Sequence, residues 1–222
     1  MWKLILGIII NSIILFAILI VTILIISVKK SKNTLGLKFE AEINNKLEEI
    51  AKSNGYKFIP SSMYKISENN LFEIDGILIT NKVIFVVEIK YLQGIISGDS
   101  TSLKLTLTNG KKNKMISNPI NQNKKHINKL MKLFSVNVPI LSLLILPEDS
   151  ELKLNQKEQW SVVTNSNKIK DTIIKVLSDL YEKEDISYEK RQIIIENLSK
   201  NKAKSYKDKK KFNRIINKKI NE

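Results

Sequence analysis

The chain has 222 residues and no cysteine, which excludes a disulfide framework, a thiolate metal site and a cysteine nucleophile. Its single histidine, His126, excludes a multi-histidine metal cluster within one chain, so any bound cation must rest on oxygen ligands, as Mg²⁺ or Mn²⁺ does. The net charge of +15 points toward nucleic acid or anionic membrane, but nearly all basic residues are Lys and the chain is heavy in Ile and Asn, a bias that an AT-rich genome produces unaided.

From Leu4 to Val28 no residue is charged, and the polar ones are confined to Asn11, Ser12, Thr22 and Ser27. About 25 such residues suffice for one transmembrane helix. A cleaved signal peptide fits less well, because its apolar region is about 7–15 residues long and no small-x-small cleavage site precedes Lys29. Only Lys3 stands before the apolar run, whereas Lys29, Lys30 and Lys32 follow it. The positive-inside rule then gives a single-pass cell-membrane protein with its N-terminus outside and its soluble domain cytoplasmic.

Residues 29–34 read as a polar linker, with Asn33 or Thr34 capping a helix from about Leu35 to Lys52. Phe39, Ile43, Leu47 and Ile50 form its apolar stripe, and Asn54-Gly55 ends it. Extended segments follow near Tyr56–Ile59 and Leu71–Thr80, and Lys82–Tyr91 reads as a buried strand. Gly94 and Gly98 mark turns, and Asn109-Gly110 predicts a hairpin between alternating Leu103–Leu107 and Lys111–Ile116. Asn118-Pro119 starts a helix that runs to about Phe134. Val138–Leu146 is apolar enough to be a central strand, Trp160–Thr164 is another strand, and Asn167–Tyr181 and Ser187–Lys200 are helices. This order predicts a mixed α/β sandwich. Residues 35–165 form one domain, 166–200 a helical appendage and 201–222 a basic tail. From Lys200 to Glu222 there are ten Lys or Arg against two acids, a net of +8. That end either touches anionic lipid headgroups or nucleic acid, or is simply solvated.

The chemistry gathers in Glu73-Ile74-Asp75-Gly76 and Val87-Glu88-Ile89-Lys90. Glu88 and Lys90 are two apart in a strand and project from one face between apolar neighbours. If the loop is Asn81-Lys82 or Thr80–Val83, opposed residues have numbers summing to 163, which sets Asp75 opposite Glu88 with Cβ atoms about 4.5–5.5 Å apart. Two carboxylates so placed repel unless a cation lies between them. A divalent cation on Asp75, Glu88 and the Ile89 carbonyl would resolve this, with Lys90 orienting water or stabilising charge on a phosphate. The competing reading is a Glu73–Lys90 cross-strand ion pair with Asp75 merely beginning the strand.

Ile-Asp-Gly followed a dozen residues later by Val-Glu-Ile-Lys resembles the D…(E/D)xK core of the restriction-endonuclease-like, PD-(D/E)xK fold. With Gly36-Leu-Lys-Phe-Glu40, Gly94 and Asn118-Pro-Ile-Asn-Gln122, the pattern resembles the nuclease-related domain (NERD) family over about residues 35–165. It departs from that pattern at Phe39, where the family usually has Gly, and at Gly76, where it often has His. The resemblance implies a restriction-endonuclease-like mixed β-sheet flanked by helices, here preceded by a transmembrane helix. It also implies Asp75, Glu88 and Lys90 as the catalytic core, with Glu40 and Gln122 in support.

On the first helix, Glu40 sits roughly 65–70° from the apolar stripe and Glu42 roughly 95° on the other side, so Glu40 is better placed for a buried site. Gln122 lies in a helical first turn, where free N–H groups favour phosphate, although from the residues alone it is equally an exposed helix residue. His126, one turn later among Lys124, Lys125 and Lys129, could face the same site but reads as a surface residue, and Trp160 reads as core rather than a base-stacking platform. Lys111, Lys112, Lys114, Lys124 and Lys125 flank the expected site and could meet a phosphate backbone, although each taken singly reads by default as part of a solvated basic face. The expected function is a membrane-anchored, Mg²⁺- or Mn²⁺-dependent nuclease acting on DNA or RNA. The alternatives are a non-catalytic nucleic-acid-binding module and a membrane-tethered interaction protein.

Overall fold

The computed structural model describes residues 2–67 and 70–203. Side chains along the first helix are described from Thr34 onward, together with Leu15, Phe16 and residues 18–22. The elements are α1 (Trp2–Asn54), β1 (Lys57–Ser67), β2 (Asn70–Ile79), β3 (Ile84–Ile89), β4 (Ile95–Gly98), β5 (Lys104–Asn109), β6 (Lys112–Ser117), α2 (Pro119–Met131), β7 (Ile140–Leu146), β8 (Glu151–Leu154), β9 (Ser161–Asn165), α3 (Ile169–Asp179) and α4 (Tyr188–Asn201).

The chain divides into two units, Met1–Ala41 and Glu42–Glu222. The first is helical: α1 runs through the expected linker at 29–34 without a break. Its six residues include neither Gly nor Pro, so nothing in them forces the helix to stop. Most side chains of the expected membrane span, 4–28, lie outside the described residues, and among the described residues no helix is long and apolar enough to cross a membrane. The basic tail lies outside them from residue 204 on.

In the second unit, α1 buries Ile43, Leu47 and Ala51 and ends at Gly55, whose φ of 68° lets the Tyr56 N–H reach the Ala51 carbonyl at 2.9 Å. Instead of one mixed sheet there are two. The main sheet has the order β1-β2-β3-β7-β9, antiparallel through β1, β2 and β3 and parallel from β3 through β7 to β9. The second has the order β6-β5-β4-β8, with β8 parallel to β4. The four-residue strands β4 and β8 carry too little pattern to separate from loop in the sequence, and their pairing is what makes the second sheet distinct. β1 also runs to Ser67, far past the expected Ile59, as the edge partner of the whole of β2.

β3 is buried at all six positions and lies between β2 and β7, and β7 is central as its apolar run requires. Ile127 and Leu130 of α2 share one apolar cluster with Ile77 and Ile79 of β2 and Ile84 and Val86 of β3. Ile120 of α2 shares a second with Ile96, Leu105, Leu144 and Leu146 of β4, β5 and β7. Trp160 packs at the margin of both clusters, in agreement with a core role.

Two asparagines fix α2. Asn118 is the N-cap, its Oδ1 accepting from Ile120 N and Asn121 N while its Nδ2 donates to the Ser100 and Ser102 carbonyls. Asn123 is fully buried and donates at 2.8 Å to both the Val86 carbonyl on β3 and Ser142 Oγ on β7. Asn123→Ala should lower stability by about 2 kcal/mol, two hydrogen bonds at about 1 kcal/mol each, read as a lower denaturant midpoint at unchanged slope.

Candidate active site

The site begins at the loop between β2 and β3. Thr80, fully buried, donates through Oγ1 to the Val83 carbonyl at 2.7 Å and accepts from Val83 N at 3.0 Å and Lys82 N at 3.2 Å. These bonds close a four-residue connection, Thr80–Val83, and set the register beyond it. Gly76 pairs with Val87, Ile77 with Val86, Leu78 with Phe85 and Ile79 with Ile84, each pair summing to the expected 163. The backbone ladder stops at Gly76 and Val87. One residue further, the Asp75 carboxylate takes over as acceptor, its Oδ2 lying 2.9 Å from Ile89 N.

Glu88, the last but one residue of β3, is fully buried. Neither carboxylate oxygen has a hydrogen-bond partner of good geometry among the described residues. Facing them are the Lys90 ammonium, 2.6 Å from Oε1 as an ion pair, and the His126 ring, its Nδ1 3.4 Å from Oε2. Burial pushes the Glu88 carboxyl up to about 7; Lys90 pulls against that and the neighbouring Asp75 charge adds to it. Burial likewise raises Asp75, opposed by Lys90 and by the Ile89 N–H. Asp75, Glu88 and Lys90 therefore converge, as the register expectation requires. Glu73, the rival partner for Lys90, accepts from Ser61 at 3.3 Å.

α2 supplies the remaining side. Gln122 is half-buried in its first turn. His126, one turn on, has a side chain only 15% exposed and is not the surface residue expected. Burial, followed by Lys129 and Lys90, lowers its pKa to about 4, so the ring is neutral near pH 7. A histidine in a lysine-rich stretch looks solvated in sequence; only the docking of α2 through Asn123 turns it inward. Asn123 was also missed, and a lone Asn inside an amphipathic helix carries no sequence signal for it. Glu40 is half-buried on α1, in the first unit.

The family model of the nuclease-related domain matches residues 35–147, just over half of the 222-residue chain. The chain belongs to the nuclease-related domain family. No curated protein and no solved structure matches it. The match takes in α1 from Leu35, the β2–β3 hairpin, the first hairpin of the second sheet, α2 and β7, and stops before β8 and β9, short of the expected residue 165. All five expected site residues of this nuclease-related domain lie within it.

A cation fits this part of the nuclease-related domain by its donors. The fully buried Glu88 carboxylate lies beside a second carboxylate with Lys90 as the adjoining positive charge, so the ionised trio carries a net negative charge that a bound cation would offset. Among the described residues no three His, Asp or Glu side chains lie close enough to hold a metal between them. Such a two-carboxylate set suits Mg²⁺, which usually keeps several waters and completes its shell with substrate phosphate.

Proposed function

We propose that this member of the family is a membrane-anchored, Mg²⁺- or Mn²⁺-dependent nuclease of restriction-endonuclease-like, PD-(D/E)xK type, hydrolysing nucleic-acid phosphodiester bonds by in-line attack of water. The observation that carries this reading is the fully buried Glu88 carboxylate, ion-paired with Lys90 at 2.6 Å and set beside Asp75. Asp75, Glu88 and the Ile89 carbonyl would hold the cation. When bound, it supplies positive charge to the scissile phosphate and acidity to the attacking water. Lys90, about one-third exposed, can stabilise charge growing on a phosphate oxygen or take part in moving the water's proton. Gln122, half-buried in the first turn of α2, would support the site through its side-chain amide, and Glu40, in the first unit, is implied by the family resemblance alone.

Nucleic acid as substrate is supported by charge placement. From Ser100 to Pro147 there are eight Lys and no Asp or Glu, a stretch that contains β5, β6 and α2. Lys111, Lys112, Lys114, Lys124 and Lys125 are all exposed. Lys without Arg favours phosphate contacts over base reading. The anchor rests on residues 4–28, N-terminus outside and domain cytoplasmic. The described apolar side chains there, Leu15, Phe16, Ile18, Leu19, Ile20 and Val21, are each between 43% and 67% exposed. At about 100° per residue they surround the helix, and an uncovered helix apolar on all sides suits lipid. The Lys-rich end from Lys200 is a further candidate for anionic headgroups.

The test is cleavage of single- and double-stranded DNA and RNA by the full chain, with Mg²⁺ and with chelator. Cleavage that needs the cation and disappears in Asp75→Ala and Glu88→Ala is expected. Cleavage surviving either substitution would sink the site. Salt-sensitive binding without cleavage would instead make the protein a binding module.

A further inference from the structure

Glu88 has a neighbour that the proposed chemistry does not use. His126 reaches it from α2, its Nδ1 3.4 Å from Glu88 Oε2, and this nitrogen is buried without a hydrogen-bond partner among the described residues. The depth of α2 is set independently by the buried Asn123 and by the Asn118 cap, so the ring is brought to the carboxylate by the helix and not by a flexible loop. A neutral imidazole carries one N–H and one bare nitrogen lone pair. Against an ionised Glu88, a bare Nδ1 would set lone pair against lone pair. An Nδ1–H would complete a hydrogen bond with an approach of a few tenths of an ångström.

We infer that His126 is a positioning residue for Glu88: in its Nδ1–H tautomer it donates to Oε2 and fixes the orientation of the carboxylate beside Asp75. This rests on the reading that Glu88 holds a cation. Direct ligation by His126 is disfavoured because no His, Asp and Glu trio among the described residues is close enough to share one ion. Carboxylate ligands are commonly oriented by such outer partners, whose loss weakens metal affinity by about 10–100-fold.

His126 is the only histidine, so ¹⁵N-histidine labelling of the full chain gives one imidazole, whose tautomer is read from two-bond ¹H–¹⁵N correlations. The Nδ1–H tautomer is expected in the Mg²⁺-loaded protein. Mg²⁺ affinity, measured by calorimetry, should fall about 10–100-fold in His126→Ala. It should recover to within a few-fold of wild type in His126→Asn, whose amide nitrogen occupies the place of Nδ1. An Nε2–H tautomer, or His126→Asn binding Mg²⁺ no better than His126→Ala, would overturn the positioning role, as would unchanged affinity in the alanine variant. Should His126→Ala fail to fold, the tautomer and the asparagine variant, compared directly with wild type, decide. A wild-type chain with no Mg²⁺ affinity would overturn the cation reading beneath the inference, a separate result from any of these.

Discussion

Glu88→Gln is expected to stabilise the cation-free protein at pH 8 and to abolish cleavage. The folded-state pKa of Glu88, about 7, lies above the ordinary value of 4.5, chiefly because of burial. Between these values the unfolded chain has already released its proton while the folded chain retains it, so stability falls as pH rises from 4.5 through 7. At about 1.4 kcal/mol per pH unit, ionised Glu88 removes about 3 kcal/mol by pH 8, an amount that the amide does not lose. The difference between variant and wild type should therefore vanish near pH 4.5 and be fully present above 7, in denaturant melts made with chelator. Saturating Mg²⁺ should raise the wild-type midpoint at pH 8 and leave that of Glu88→Gln unchanged. Because the carboxylate must be ionised to hold a cation, wild-type Mg²⁺ affinity and cleavage should rise with pH through about 7.

Asp75 separates the same two roles in another way. In Asp75→Asn the amide oxygen can still accept from Ile89 N–H, so stability should stay within about 1 kcal/mol of wild type. Cleavage should drop by about 10³-fold or more, corresponding to several kcal/mol of lost charge stabilisation. In Asp75→Ala the Ile89 N–H is left without its acceptor, and stability should fall by a further 1–3 kcal/mol or so, with cleavage no lower than in the asparagine variant. Equal stability of the two variants would mean that the bond from Ile89 to Asp75 contributes nothing. Wild-type cleavage in Asp75→Asn would remove Asp75 from the site.

The part of the site that was legible in the sequence is the part fixed by short-range geometry. A four-residue turn at Thr80–Val83 sets the register as far as Gly76 and Val87 with no information from the rest of the chain, and Asp75 and Glu88 follow next to that pair and interact. The Asn118 cap with Pro119 behind it announces α2 in the same local way. What escaped depends on distant partners. His126 and Asn123 turn inward only because α2 docks across β3 and β7, and nothing near them in sequence encodes that docking. The division into two sheets depends on β4 and β8, each four residues long, finding each other across about fifty intervening residues. The polar segment 29–34 looked like a linker because composition resembles one, yet without Gly or Pro the helix continues through it. The asymmetry carries over to function: carboxylates and a lysine at strand spacing can be read directly, whereas the groups that orient them belong to tertiary packing.

The most direct measurement is the stoichiometry of cation binding. Free Mn²⁺ followed by electron paramagnetic resonance while full-length chain is added should show one site per chain at pH 8, weakened at least about 100-fold in both Glu88→Gln and Asp75→Asn. Mn²⁺ bound as tightly by either variant as by wild type, or not bound by wild type at all, would contradict the assignment of these two carboxylates as the cation site.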